Sequence, residues 1–201
     1  MTSFQGKCFA FIGISGSGKG TQAKLLTEYL QKQGNQTFSV ESGKLFRKLA
    51  ENQSLAGSII KDDLANGRLP AEWIASFLWA QKLIQELGNK EEVIIFDGSP
   101  RRMREAEDME KVLDWFGRER YYLIHLVLSR ESAWKRLTVR KRGDDTEKNI
   151  EKRIGWFYEK VLPIIESFKK DKKERLLEVN GEQSIEAIHK DIVTLLQKQT
   201  S

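Results

Sequence analysis

The sequence predicts an α/β fold, a three-layer arrangement in which five parallel strands carry helices on both faces. Three observations lead there. A glycine-rich stretch, I-G-I-S-G-S-G-K-G-T-Q from Ile12 to Gln22, lies between an apolar run (Cys8 to Ile12) and a segment where Ala23, Leu26 and Leu30 recur at helical spacing. Two more runs, the unbroken apolar Val93 to Phe96 and Tyr122 to Leu128, in which His125 is the one polar residue, read as buried strands, as a parallel sheet covered by helices requires. The first of these runs into Asp97, at the strand end where sheets of this kind bind ligands.

The glycine-rich stretch fits a phosphate-binding template. Gly13 and Gly18 close its ends, Lys19 follows, and the hydroxyl of Thr21 arrives one place later than the common spacing, after Gly20. Phosphate oxygens need donors that approach closely. Gly16, Gly18 and Gly20 let consecutive backbone N–H groups of the loop Ser15-Gly16-Ser17-Gly18 point into one concavity. The helix that follows adds a favourable N-terminal dipole for an anion. Lys19 then reaches the terminal phosphates of ATP and Thr21 offers its hydroxyl to Mg2+, with Asp97 as the best further magnesium candidate.

At 201 residues and 39% apolar content, the chain can bury the core of one compact domain. A single cysteine, Cys8, leaves no internal disulfide framework and no cysteine-rich zinc site, so no zinc is expected. The N-terminal apolar run is short, and nowhere do about 18 apolar residues run together. A soluble cytoplasmic protein without membrane association is expected. A net charge of +5 suits nucleic acid or a polyphosphate site equally, and no basic block or aromatic interleaving decides for nucleic acid.

Along the chain, Gly34-Asn35 stops the first helix near Gln33, and Thr37 to Val40 forms a second strand. Ser42 and Gly43 then precede a helix that carries Arg47, which alone would be an N-cap serine with a surface arginine. From Ala71 to Leu87, Ile74, Phe77, Leu78, Ile84 and Leu87 keep helical spacing, with Trp73 and Trp79 read as core. His125, in the fourth strand, and His189, on a late helix, have no acid-base partner nearby in sequence and read as structural. Asp144 and Glu147 have capping-box spacing at the start of a long helix that carries Arg153 and continues through Trp156, Phe157, Leu162 and Phe168. Leu176 to Gly181 is the last strand and its turn, and Ser184 opens the closing helix.

The G-S-G-K-G-T-Q string resembles the P-loop of the adenylate kinase family of nucleoside monophosphate kinases, and the resemblance runs through nearly the whole chain. It implies a P-loop NTPase fold with a small helical, acceptor-binding insertion at about residues 43–72, and a monomer acting on ATP and a nucleoside monophosphate. Ser42, Gly43 and Arg47 are implied as acceptor contacts, and the backbone carbonyls of Arg68, Leu69 and Pro70 are implied to line the acceptor base. Asp97-Gly98-Ser99-Pro100-Arg101 resembles the family's D-G-F-P-R signature, which assigns Gly98 to the base and Arg101 to the acceptor phosphate. Arg136, Arg140, Arg142, Asp144, Asp145 and Arg153 follow the family's arginine pattern. Arg136 is implied beside the donor adenine and Arg140, Arg142 and Arg153 around the moving phosphoryl, with the two aspartates orienting them. A carbonyl of Gln183 is implied at the donor adenine.

Three departures accompany the resemblance. Lys44 stands where relatives carry an acid that helps to hold magnesium-bound water, so either Asp97 serves alone or Lys44 is a solvated first-turn residue. Glu105 replaces an adenine-reading glutamine; as a carboxylate it would suit guanine's paired N–H donors, or it is simply a first-turn acid favoured by the helix dipole. The lid is minimal, about residues 140–145. The expected reaction is reversible phosphoryl transfer from Mg-ATP, with AMP the leading acceptor and GMP or another monophosphate the alternative. A P-loop ATPase module and a nucleotide-binding protein without kinase activity are the readings from other classes.

Overall fold

The computed structural model describes residues 4–140 and 146–199. Its sheet has five strands, β1 (Cys8–Ile12), β2 (Thr37–Glu41), β3 (Val93–Asp97), β4 (Tyr122–Val127) and β5 (Leu176–Asn180), all parallel, in the order β2-β3-β1-β4-β5. The expected strands are therefore present. Their carboxyl ends share one edge, so the loops that leave them converge.

Helices α1 (Lys19–Lys32) and α9 (Ile185–Gln199) cover one face. Leu26, Leu30, Ile188, Ile192 and Leu196 pack there against Phe9, Phe11, Ile95 and Ile124. The other face carries α4 (Glu72–Glu86), α5 (Met103–Trp115), α6 (Arg130–Val139), α7 (Glu147–Trp156) and α8 (Leu162–Asp171) over a larger core that includes Ala10, Ile12, Phe96 and Leu123. The alternation that sends Phe9 and Phe11 to one side and Ala10 and Ile12 to the other is the two-residue period of a strand buried on both faces. Between β2 and α4 lie α2 (Ser42–Ala50) and α3 (Leu55–Ala65), which share a small separate core of Phe46, Ile60, Ile74 and Ala75.

Several local expectations are corrected. On α4 the buried residues are Ile74, Ala75, Trp79 and Leu83, whereas Trp73, Phe77 and Ile84 are more than half exposed. Two stripes at helical spacing overlap in this sequence, and the winner is the one that sets Trp79 edge-on against Phe96 of β3, with ring centres 6.0 Å apart. The long helix after Arg153 breaks into a π turn, Phe157–Val161, before α8. Pro163 explains it, because proline has no N–H for an α-helical bond to the carbonyl four residues back. Thr146 caps α7, its hydroxyl accepting from the Asn149 N–H at 3.3 Å; the cap expected at Asp144 falls outside the described residues. His125 does have an acidic partner, Glu178, which strand pairing brings within 3.0 Å of its Nδ1.

Candidate active site

A cleft of about 860 Å³ opens over the carboxyl ends of β1 and β3. At one end stands the glycine loop. Gly18 caps α1 with φ +89°, a left-handed conformation that a side chain would resist, and this turn lets the loop enter the helix. Lys19 bends back across the loop, donating to the carbonyls of Gly13 at 2.8 Å and Ile14 at 2.9 Å and to the hydroxyl of Ser17 at 3.3 Å. Burial pulls its ammonium down to about 8 although neighbouring Asp97 favours the charge. At neutral pH it is still mostly charged, held in a place that an arriving phosphate would stabilise.

Asp97 ends β3 against the start of α1, close enough that a side chain on Gly20 would meet its Oδ2 at 3.0 Å. Burial raises its pKa, with Lys19 and Arg101 opposing. Glu41 pairs with Asp97 across β2 and β3 and lines the same cleft, making a second carboxylate that the sequence reading missed. The signal was in the sequence, since each acid follows a strand of matched length, but only the register makes them neighbours. Lys44 leans toward Glu41 at 3.8 Å. Among the described residues no group of three or more metal-binding side chains exists. Asp97, Glu41 and the Thr21 hydroxyl nonetheless fit magnesium, a hard ion that keeps several waters and is held by few protein oxygens together with phosphates.

The cations converge from distant parts of the chain. Lys19, Arg47, Arg101, Arg136, Arg140 and Arg153 all line the cleft, along with Ser15, Gly16, Gly18, Gly20, Thr21, Gly43, Arg68, Pro70, Asp97 and Gly98. Arg101 donates its Nε to the Gly98 carbonyl at 2.7 Å; burial works against its charge, and Glu105 and Asp97 support it. Arg136 donates to the Gly181 carbonyl at 2.9 Å, tying α6 to the turn after β5. The Gly181 carbonyl is thereby held against an arginine that lines the cleft.

Other expected residues stand elsewhere. Gly13 lines a smaller pocket below, of about 50 Å³, beside Leu69. Ser17 is fully buried, its backbone N–H donating to the Ile14 carbonyl at 3.1 Å, and Ser42 is also buried. The Gln183 side chain donates to the Asn180 carbonyl and to Asp191 at 2.8 Å instead of facing the cleft. The Arg68 side chain turns back on Asp62 and Asp63, and the carbonyls of Leu69 and Pro70 already accept from Arg102, at 3.2 and 2.6 Å. Arg142, Asp144 and Asp145 lie outside the described residues.

Glu105 needs the fullest correction. It is buried in the first turn of α5 and does not line the cleft. Its Oε1 accepts from the Ser99 hydroxyl at 2.7 Å, its Oε2 accepts from the Arg101 backbone N–H at 2.7 Å, and Ser42 bonds Ser99 in turn. Burial raises its pKa, with those donors and the Arg101 charge opposing. The carboxylate braces the turn that presents Arg101.

A phosphate cradle, a buried aspartate and many cations around a single cleft are what a nucleotide phosphotransferase requires. The family model for adenylate kinase matches residues 11–173. The chain belongs to the adenylate kinase family. It is accordingly a phosphotransferase enzyme. Similar proteins include an adenylate kinase of Prochlorococcus marinus (strain AS9601), 31% identical over 191 residues that cover 92% of this chain and 96% of that one. Adenylate kinase 2 of a Nostoc species is 30% identical over 189 residues, again covering 92% and 96%. An adenylate kinase of Listeria monocytogenes is 24% identical over 216 residues.

Proposed function

We propose that the protein is a nucleoside monophosphate kinase that transfers a phosphoryl group reversibly from Mg-ATP to AMP, giving two ADP. One observation carries this reading: cationic side chains drawn from positions 19 to 153, among them Lys19, Arg47, Arg101, Arg136, Arg140 and Arg153, converge on a single cleft of about 860 Å³. A cleft of about 860 Å³ lies near the upper end of single-ligand pockets. ATP sits at the glycine loop, with its terminal phosphates on the backbone N–H groups and Lys19 and its adenosine toward Arg136 and the Gln183 turn. The acceptor sits at the far end between Gly43, Arg47, Arg68, Pro70 and Gly98, with its phosphate on Arg101.

Little covalent chemistry falls to the protein. Arg140 and Arg153, with Arg142 in the sequence between them, neutralise charge that gathers on the moving phosphoryl group, and the cleft holds both phosphates in line. Thr21 and Asp97 would hold magnesium, partly through water, and the ion would supply charge neutralisation at the ATP phosphates. Glu105, buried beneath the Arg101 turn, gives no support to a guanine acceptor, and the likeness to adenylate kinases favours AMP.

The test is to incubate the protein with Mg-ATP and each of AMP, GMP, CMP and UMP and to follow the nucleotides by chromatography. Two ADP per ATP consumed, dependent on AMP, is the expected result. ATP consumption that is indifferent to every monophosphate would replace the kinase by an ATPase.

A further inference from the structure

Residues 65–70 leave α3 and form one wall of the far end of the cleft, with Gly67, Arg68 and Pro70 facing it. The segment is irregular: α3 ends at Ala65, Gly67 follows with a φ of +61° that suits a helix stop, and the carbonyls of Ala65, Asn66, Leu69 and Pro70 accept from side chains. All four are taken by side chains from two other elements. From α7, Asn149 Nδ2 donates to the Ala65 carbonyl at 3.0 Å and Lys152 Nζ to the Asn66 carbonyl at 2.8 Å. From the turn before α5, Arg102 donates to the carbonyls of Leu69 at 3.2 Å and Pro70 at 2.6 Å.

The donors are placed in a particular way. Lys152 precedes Arg153 and Arg102 follows Arg101, so each of two cleft-lining arginines has a sequence neighbour gripping this wall. Asn149 is buried, and it occupies the space that a side chain on Gly67 would need, since a Cβ there would lie 2.6 Å from its Oδ1.

We propose that Asn149 and Arg102 are positioning residues that lock the acceptor-side wall to the segments carrying Arg153 and Arg101. Their bonds set the width of the acceptor half of the cleft and leave the ATP half alone. This rests on the kinase reading given above. It accounts for three side chains that spend four hydrogen bonds on the backbone carbonyls of one short segment.

The experiment measures KM for AMP and for ATP separately in Asn149→Ala, Arg102→Ala and Arg102→Lys. Loss of a hydrogen bond, charge-assisted in Arg102, should raise KM for AMP by about fivefold or more, while KM for ATP stays within about twofold. Arg102→Lys, which keeps one donor, should recover part of the loss. Gly67→Ala should also raise KM for AMP, and by a smaller factor when Asn149 is already alanine, because the clash has gone. AMP binding by calorimetry gives the same comparison without turnover. Equal changes in both KM values, or a KM for AMP within twofold of wild type in both alanine variants, would overturn the proposal. Failure of the underlying reading looks different: the wild-type protein itself would phosphorylate no monophosphate.

Discussion

Replacing Glu105 by glutamine separates two roles for this position. A base-reading carboxylate converted to an amide would swing acceptor choice, since a site that hydrogen-bonds one substrate group rejects its mismatch by about 10² or more. A brace predicts something else. Glutamine can keep both contacts, its oxygen accepting from the Arg101 N–H and its amide donating to the Ser99 hydroxyl, whose own proton turns toward Ser42. Exchanging charged for neutral hydrogen bonds loses about 1 kcal/mol. Against this, burial holds the Glu105 pKa above 4.5, so the ionised side chain penalises the fold. That penalty is absent below the unfolded value and complete above the folded one, and glutamine never carries it. The stability of Glu105→Gln relative to wild type should therefore improve as pH rises from 4.5, ending within about 1 kcal/mol of wild type near neutrality. Glu105→Met fills the same volume but orphans the Arg101 N–H, at about 1 to 3 kcal/mol, or roughly 2 to 4 °C of Tm per kcal/mol. Thermal unfolding across pH 4 to 8 and the AMP/GMP ratio of kcat/KM measure both sides. A ratio that moves tenfold or more in Glu105→Gln, with Tm unchanged in Glu105→Met, would refute the brace.

Three other outcomes follow from the site. Arg153→Lys keeps a charge in the cleft but loses the planar fork, so kcat should fall by about 10² or more with Tm nearly unchanged, as steady-state kinetics and calorimetry would record. The Lys19 ammonium, lowered to about 8 from 10.5, penalises the ligand-free fold below its folded pKa; that cost, about 3 kcal/mol, is relieved as pH rises from 8 to 10.5. Lys19→Met should lack this rise in urea titrations, while ATP affinity of the wild type should weaken over the same interval. Asp97→Asn should raise the magnesium concentration needed for half-maximal ATP binding by about tenfold, measured by calorimetry at fixed nucleotide.

The part of the molecule read most directly from sequence is the part built by local forces. A short apolar run, a glycine loop and a helical repeat specify strand, turn and helix without outside help, so Cys8 to Leu30 was legible, with Lys19 and Thr21 in place. Apolar runs announced β3 and β4, interrupted in β4 only by His125, because a strand sealed on both faces tolerates little else. The distant arginines were legible only through resemblance, since a charged helix face by itself reads as a solvated one.

Local chain chemistry thus specifies the phosphate cradle, the order of the elements and the residue types available to surround a ligand. Tertiary structure alone decided which neighbours those types acquired. Helix rotation put Trp79 inside and Phe77 outside, strand register made Glu41 a neighbour of Asp97 and Glu178 a neighbour of His125, and burial behind the Arg101 turn withdrew Glu105 from the cleft. The physical reason is common to all of them. Periodicity fixes which residues share a face, whereas the choice between competing faces, and the pairing of residues far apart in sequence, depends on surfaces that come together only when the chain has packed.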